Sequence, residues 1–132
     1  MAIRTYRQLD VWQRAMDLVE AVYEVAANFP DSEKFGLRSQ MQRAAVSIPS
    51  NIAEGYGRTH RGDYVRHLSI ARGSLMELET QMTLSVRLKL APRSRMIPAW
   101  RTAQQVGQML TKLIASLRVS EPRNPTPETR QP

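Results

Sequence analysis

No cysteine occurs in the 132 residues, so disulfides, zinc knuckles, iron–sulfur ligation and a thiol nucleophile are excluded together, and a reducing cytoplasmic compartment is the natural setting. Histidine is almost as scarce. His60 and His67 stand seven residues apart, about 10 Å along a helix and too far to share one metal ion. The residues three before them are Gly57 and Tyr64, so the Glu-x-x-His pairs of a ferritin-like metal bundle are missing. No apolar run approaches the roughly eighteen residues of a membrane span, and Met1-Ala2-Ile3-Arg4 leads into polar sequence without the apolar core of a signal peptide. A soluble cytoplasmic protein with no membrane partner is expected. There is no Gly-x-Ser-x-Gly elbow, and Gly55-Tyr56-Gly57 lacks the preceding strand, third glycine and Gly-Lys-Ser/Thr of a phosphate loop. It reads as a helix C-cap and turn. Glu54, Glu77 and Glu79 could in principle pair for acid–base work, but neutralising Arg43, Arg58 or Arg72 inside a helical interface explains them better. No catalytic, cofactor or metal site is expected, and the chain is not expected to be an enzyme.

What is present is helical periodicity. The length suits one domain with one real core, and four amphipathic patterns fill residues 1–119. The first opens at Asp10, with Gln13 placed for a capping box, and runs to Asn28 before Phe29-Pro30 stops it. Its expected buried face is Trp12, Ala15, Met16, Val19, Val22, Tyr23 and Ala26. The second begins near Asp31 or Ser32 and continues to about Gly57, with a kink, or two helices meeting, at Pro49. Thr59 or Asp63 would cap a third helix reaching Leu90. Tyr64, Leu68, Ala71, Leu75, Leu78, Met82 and Ser85 or Val86 follow a heptad spacing along it. The fourth follows Pro92 and buries Met96, Trp100, Ala103, Val106, Leu110, Leu113, Ile114 and Leu117. Short connections make neighbours antiparallel, so the expected fold is all-α, an up-down-up-down four-helix bundle. Residues 120–132 hold no apolar residue except proline and read as a disordered or extended tail. Gly73-Ser74 would mark a close helix crossing, and the methionines read as adaptable core filling.

The second helix carries two stripes. Leu37, Met41, Ala44, Ala45, Ile48 and Ile52 form the apolar one. Gln40, Arg43, Ser47, Asn51, Glu54 and Arg58 follow at offsets of three or four and stack along a second line. The mixture of Ser and Asn with Arg and Glu fits either a solvated face or a polar seam against a neighbouring helix or subunit, with Gln40, Arg43, Ser47, Asn51, Glu54 and Glu77 as its members. Apolar residues left over on the third helix, Val65 and Ile70, favour self-association.

Charge is unevenly placed. Residues 1–57 hold six Lys/Arg against seven Asp/Glu, and residues 58–132 hold thirteen against five, within a net charge of +7. Such asymmetry favours a polyanion, nucleic acid before membrane. Arg58, His60, Arg61, Arg66, His67 and Arg72 around the turn into the third helix form the candidate nucleic-acid site, joined by Arg87, Lys89, Arg93 and Arg95 at its far end. Tyr56 and Tyr64 could stack on exposed bases. A solvated bundle surface explains the same residues.

Several segments resemble the four-helix-bundle proteins related to the one encoded within 23S rRNA intervening sequences. They are Tyr6-Arg7-Gln8-Leu9-Asp10-Val11-Trp12-Gln13-Arg14-Ala15, Phe29-Pro30 with Glu33-Lys34-Phe35-Gly36-Leu37, Gln40 with the run from Arg43-Ala44-Ala45-Val46-Ser47-Ile48-Pro49 to Gly55, and Ala71-Arg72-Gly73-Ser74-Leu75-Met76-Glu77-Leu78-Glu79. The resemblance covers about residues 6–90. That family commonly continues with a Gly-aromatic turn where this chain has Lys89-Leu90-Ala91-Pro92. The resemblance implies a ring-like homopentamer without enzymatic activity, similar in fold to a basic pentamer that works with a reverse transcriptase and RNA. The resulting expectation is a non-enzymatic oligomer that binds RNA or a ribonucleoprotein through basic helix ends. The rival is a structural or protein-interaction oligomer with no nucleic-acid role.

Overall fold

A computed structural model of the chain describes residues 2–33 and 35–119. Four long helices account for most of them: α1 (Asp10–Ala26), α2 (Leu37–Tyr56), α3 (Arg61–Arg87) and α4 (Arg93–Val119), with short 3-10 turns at Tyr6–Gln8 and Asp31–Glu33. Among the described residues there is no strand, and the expected tail at 120–132 lies outside them. Each helix packs on the two beside it in the order α1, α2, α3, α4, with α2 and α3 the most closely packed pair, and the backbones of the diagonal pairs stay apart. The bundle can be divided into an α1–α2 layer and an α3–α4 layer. Its interior is filled by side chains such as Leu18, Ile48, Ile52, Leu75 and Leu110, all fully buried.

The helix ends differ in detail from their sequence reading. Thr5 and Gln8 form the capping box, around the first 3-10 turn, and Leu9 is the N-cap of α1. Asp10 is the first residue of α1, where its carboxylate faces the positive end of the helix dipole. Gln13 does not reach back to Asp10; its Nε2 donates to the Arg7 carbonyl at 2.9 Å. Asp31 and Ser32 belong to the second 3-10 turn, whose Glu33 carboxylate accepts from the Leu37 amide at 3.1 Å and so caps α2. α2 runs through Pro49 as one helix, not two. His60 is the N-cap of α3, and neither Thr59 nor Asp63 supplies a cap hydrogen bond.

α3 stops at Arg87 because Lys89 turns left-handed, with φ 63°. The Leu90 amide then reaches the Ser85 carbonyl at 2.9 Å, and the Lys89 amide reaches Val86 at 3.0 Å, the two bonds that close a helix over a left-handed residue. A left-handed conformation costs an L-residue roughly 1–2 kcal/mol, and glycine gives back about 0.5–1 through its freer unfolded chain. Lys89→Gly is expected to raise stability by roughly 0.5–1 kcal/mol in urea denaturation.

α1 is rotated relative to its expected face. Val11, Ala15, Leu18, Val22, Val25 and Ala26 are buried, while Met16 is 38% and Tyr23 45% exposed. The helix carries two adjacent apolar stripes. Trp12, Met16, Val19 and Tyr23 turn towards the outer groove with α2, beside Val46, Pro49 and Ala53. On α3, Val65 is buried at 8% exposure and is not spare, whereas Ile70 is 40% exposed.

Candidate nucleic-acid interface

The polar stripe of α2 divides. Ser47 and Asn51 are half-buried and meet α3: Ser47 Oγ lies 2.8 Å from Ser74 Oγ, and Asn51 Oδ1 lies 3.1 Å from His67 Nδ1. Deeper along the same contact, Ser85 Oγ donates to the Gln81 carbonyl at 2.8 Å and lies 3.2 Å from Met41 Sδ. These pairs run in opposite order along the two helices, so α2 and α3 are antiparallel. Gln40, Arg43, Glu54 and Glu77 are exposed within the chain; of these, Glu54 reaches α3, its Oε2 lying 3.9 Å from His67 Nε2. Gln40, Arg43 and Glu77 extend away from the contact, while Ser47 and Asn51 reach across it. Arg43→Ala and Glu77→Ala are expected to change stability by no more than about 0.5 kcal/mol, as surface changes do. Asn51→Ala leaves the buried His67 without its Nδ1 partner and is expected to cost about 1–3 kcal/mol in thermal melts.

His67 departs from its expected surface position. It is only 7% exposed, its ring held between Asn51 and Glu54, whose Oε2 lies 3.9 Å from Nε2, so it is not a surface contact for a ligand. The tyrosines are committed too. Tyr56 and Tyr64 stack edge to face at 5.8 Å, the Tyr56 hydroxyl donates to the Ile3 carbonyl at 3.1 Å, and Tyr64 is half-buried. Burial, helped by Tyr56, pushes the Tyr64 hydroxyl up to about 12. This corner is packed, with Gly55 pressed against His67 and Tyr64. Gly55 is the close crossing of α2 and α3; Gly73 faces open space.

The remaining cations are at the surface. Arg58, His60, Arg61, Arg66 and Arg72 are exposed, and Arg58 pairs with Glu54 at 2.7 Å across one helical turn. An exposed pair of this kind contributes roughly 0–1 kcal/mol and leaves the guanidinium accessible. The sequence asymmetry becomes a spatial one. Among the described residues, those from 58 to 119 carry eleven Lys/Arg and three Asp/Glu, and those from 2 to 57 carry five and seven. Arg93, Arg95, Arg101, Lys112 and Arg118 lie on α4, which has no carboxylate. Of the three acids on α3, Glu79 is engaged with Gln104 of α4 at 3.2 Å. Burial raises the Glu79 carboxyl above its ordinary range, and that hydrogen bond offsets part of the rise.

One feature escaped the sequence reading. Trp100, expected in the core, is 37% exposed and borders a groove of about 330 Å³ between α3 and α4, with Arg87 and Arg93 also lining it. The basic residues at this end were visible in sequence; the groove was not, because it depends on how two helices separated by a turn diverge.

Fold and surface together define an all-α four-helix protein with one strongly basic layer. The chain belongs to the 23S rRNA-intervening sequence protein family, whose model matches residues 7–112. It is also similar to a solved structure from Bacteroides thetaiotaomicron VPI-5482, described as a protein with unknown function from the S23 ribosomal protein family. The two share 21% identity over 80% of this chain and 95% of that one, with a TM-score of 0.74, a likeness of fold. Comparison with curated proteins finds no match. Among the described residues, no helix is long and apolar enough to cross a membrane.

Proposed function

We propose that the chain is a non-enzymatic, cytoplasmic, up-down-up-down bundle that assembles into a ring-like homo-oligomer and binds RNA, alone or within a ribonucleoprotein, along its α3–α4 layer. The observation that carries the RNA reading is the segregation of charge: two adjacent antiparallel helices present nearly all the unbalanced cations, and one of them has no acid at all. Counterion release from phosphates rewards such a surface regardless of base sequence. Self-association is supported on the opposite layer, where Met16, Tyr23 and Val46 are each about 40% exposed beside the half-buried Trp12 and Val19. That apolar face also favours the rival reading, an interaction scaffold whose charge confers solubility. A ring would repeat the basic layer, and one RNA spanning several copies would gain avidity.

Filter binding of RNA over a salt series, with light scattering on the same samples, separates the two. Arg66→Glu combined with Arg72→Glu is expected to abolish RNA retention while leaving the helical signal and oligomer size unchanged, since both side chains are exposed. Each lost phosphate contact lowers the slope of log affinity against log salt by about 0.7–0.9. No salt-dependent binding by the wild type even near ~50 mM salt leaves the scaffold reading in place, and a monomer at micromolar concentration removes the ring.

A further inference from the structure

We infer that the groove between α3 and α4 is a slot for one unpaired nucleobase, with Trp100 as its stacking surface and Arg87 and Arg93 as the partners of the flanking phosphates, so that the basic layer selects single-stranded RNA. This rests on the RNA reading above and narrows it. The floor is apolar: Met82 and Val86 come from α3, Met96 and Ile97 from α4, and the Thr83 hydroxyl belongs to the lone polar uncharged residue of the lining. Trp100 leaves over a third of its surface exposed at this edge, although Ala99 and Ala103 beside it on α4 already fill the core side of the helix. The bundle's own packing therefore leaves part of the indole uncovered.

The occupant follows from shape and charge. At about 330 Å³ the groove is at the lower end of small-ligand sites, enough for a single flat group and too short for the several anchors of a docked partner helix. No carboxylate lines it, so an uncharged apolar group would leave both guanidinium ions without a counter-charge. A duplex could meet the arginines, but its bases are paired and stacked inside and cannot reach the floor. A single-stranded nucleotide satisfies both halves of the site. Its base has an apolar π-face for the indole, and its phosphate matches the planar, two-pronged donor set of arginine. Arg101, exposed and next to Trp100 on α4, places a further cation near the slot; Arg95 faces α1 on the other side of the helix.

Trp12 and Trp100 are the two tryptophans of the chain, and Trp12 lies on α1 in the opposite layer, so Trp12→Phe makes Trp100 the sole indole reporter. The protein carrying that change is titrated with a short unstructured oligouridylate and with a blunt-ended RNA duplex of equal phosphate number. The oligouridylate is expected to quench the fluorescence saturably, and the duplex to bind without quenching. In the otherwise wild-type chain, Trp100→Ala is expected to weaken oligouridylate binding about 5- to 150-fold, the usual loss for one stacked base, and to leave duplex affinity unchanged. Arg87→Gln with Arg93→Gln should flatten the salt dependence for the oligouridylate. Oligouridylate binding without quenching, or equal loss for both RNAs in Trp100→Ala, overturns the slot and leaves the RNA reading standing. Failure of both RNAs to bind the wild type overturns both.

Discussion

Leu75→Ala is expected to remove about 2–5 kcal/mol of stability, the range for emptying a fully buried leucine site. Leu75 has no exposed surface and sits where α3 meets α4: a Cβ added to Gly107 would lie 3.2 Å from Leu75 Cδ2. That contact makes the test a paired one. Gly107→Ala alone gains up to about 1 kcal/mol of helix propensity but presses on the leucine, so its net effect should be small. In the double variant the new methyl enters the space the leucine vacated, adding to the propensity gain roughly the 0.8 kcal/mol of a buried methylene. The double variant should therefore be more stable than Leu75→Ala by over 1 kcal/mol, a coupling of the kind found between residues in contact. Urea denaturation at one protein concentration measures it, because association shifts apparent stability. Additive effects would show that Leu75 and Gly107 do not meet across α3 and α4.

Gly55→Ala should be destabilising, against the helix propensity of alanine. A Cβ at this position would lie 2.6 Å from the Cβ of His67 and 3.3 Å from the carbonyl oxygen of Tyr64. Neither atom can swing away, since both move only with the α3 backbone. Overpacking of this kind costs about 1–3 kcal/mol, which outweighs the gain of up to about 1 from replacing a helical glycine. Gly55→Leu should cost more and separate Asn51 from His67. Gly73→Ala is the control of opposite sign: Gly73 is in the interior of α3 with nothing within 4 Å of a new Cβ, so stability should rise by roughly 0.5–1 kcal/mol. Thermal melts that ranked the two glycines alike would contradict the close crossing at Gly55.

The contrast between these glycines shows what the sequence could and could not convey. Where a helix offers one apolar stripe, periodicity finds it: Met41, Ala44, Ala45, Ile48 and Ile52 of α2 are buried as read, as are Leu68, Ala71, Leu75, Leu78 and Met82 of α3. α1 offers two stripes, and choosing between them requires knowing which neighbours it has. Small residues are equally ambiguous. Gly55 looked like a helix stop and Gly73 like a crossing, yet both are helical, and only the approach of α3 distinguishes them. The basic surface was legible as charge, because arginines on a bundle point outwards unless paired. His67 was not, since its burial depends on Asn51 lying opposite it on another helix. Trp100 failed for a related reason: an aromatic at a stripe position looks like core whether or not the adjacent helices close over it.

The hydrogen-bonded pairs between α2 and α3 have a further consequence for uniqueness. An apolar heptad stripe repeats, so by itself it would accept the partner helix displaced by whole turns with little loss of buried area. Such a displacement would carry Ser74 past Ser47 and His67 past Asn51 by about 5.4 Å for each turn. Those pairs would be broken, and the buried His67, left without a partner, would cost roughly 1–3 kcal/mol. Ser47, Asn51, Ser74 and His67 thus act as a lock on the vertical alignment of two otherwise slippery rods, and keep the arginines at the two ends of α3 at fixed heights on the basic layer.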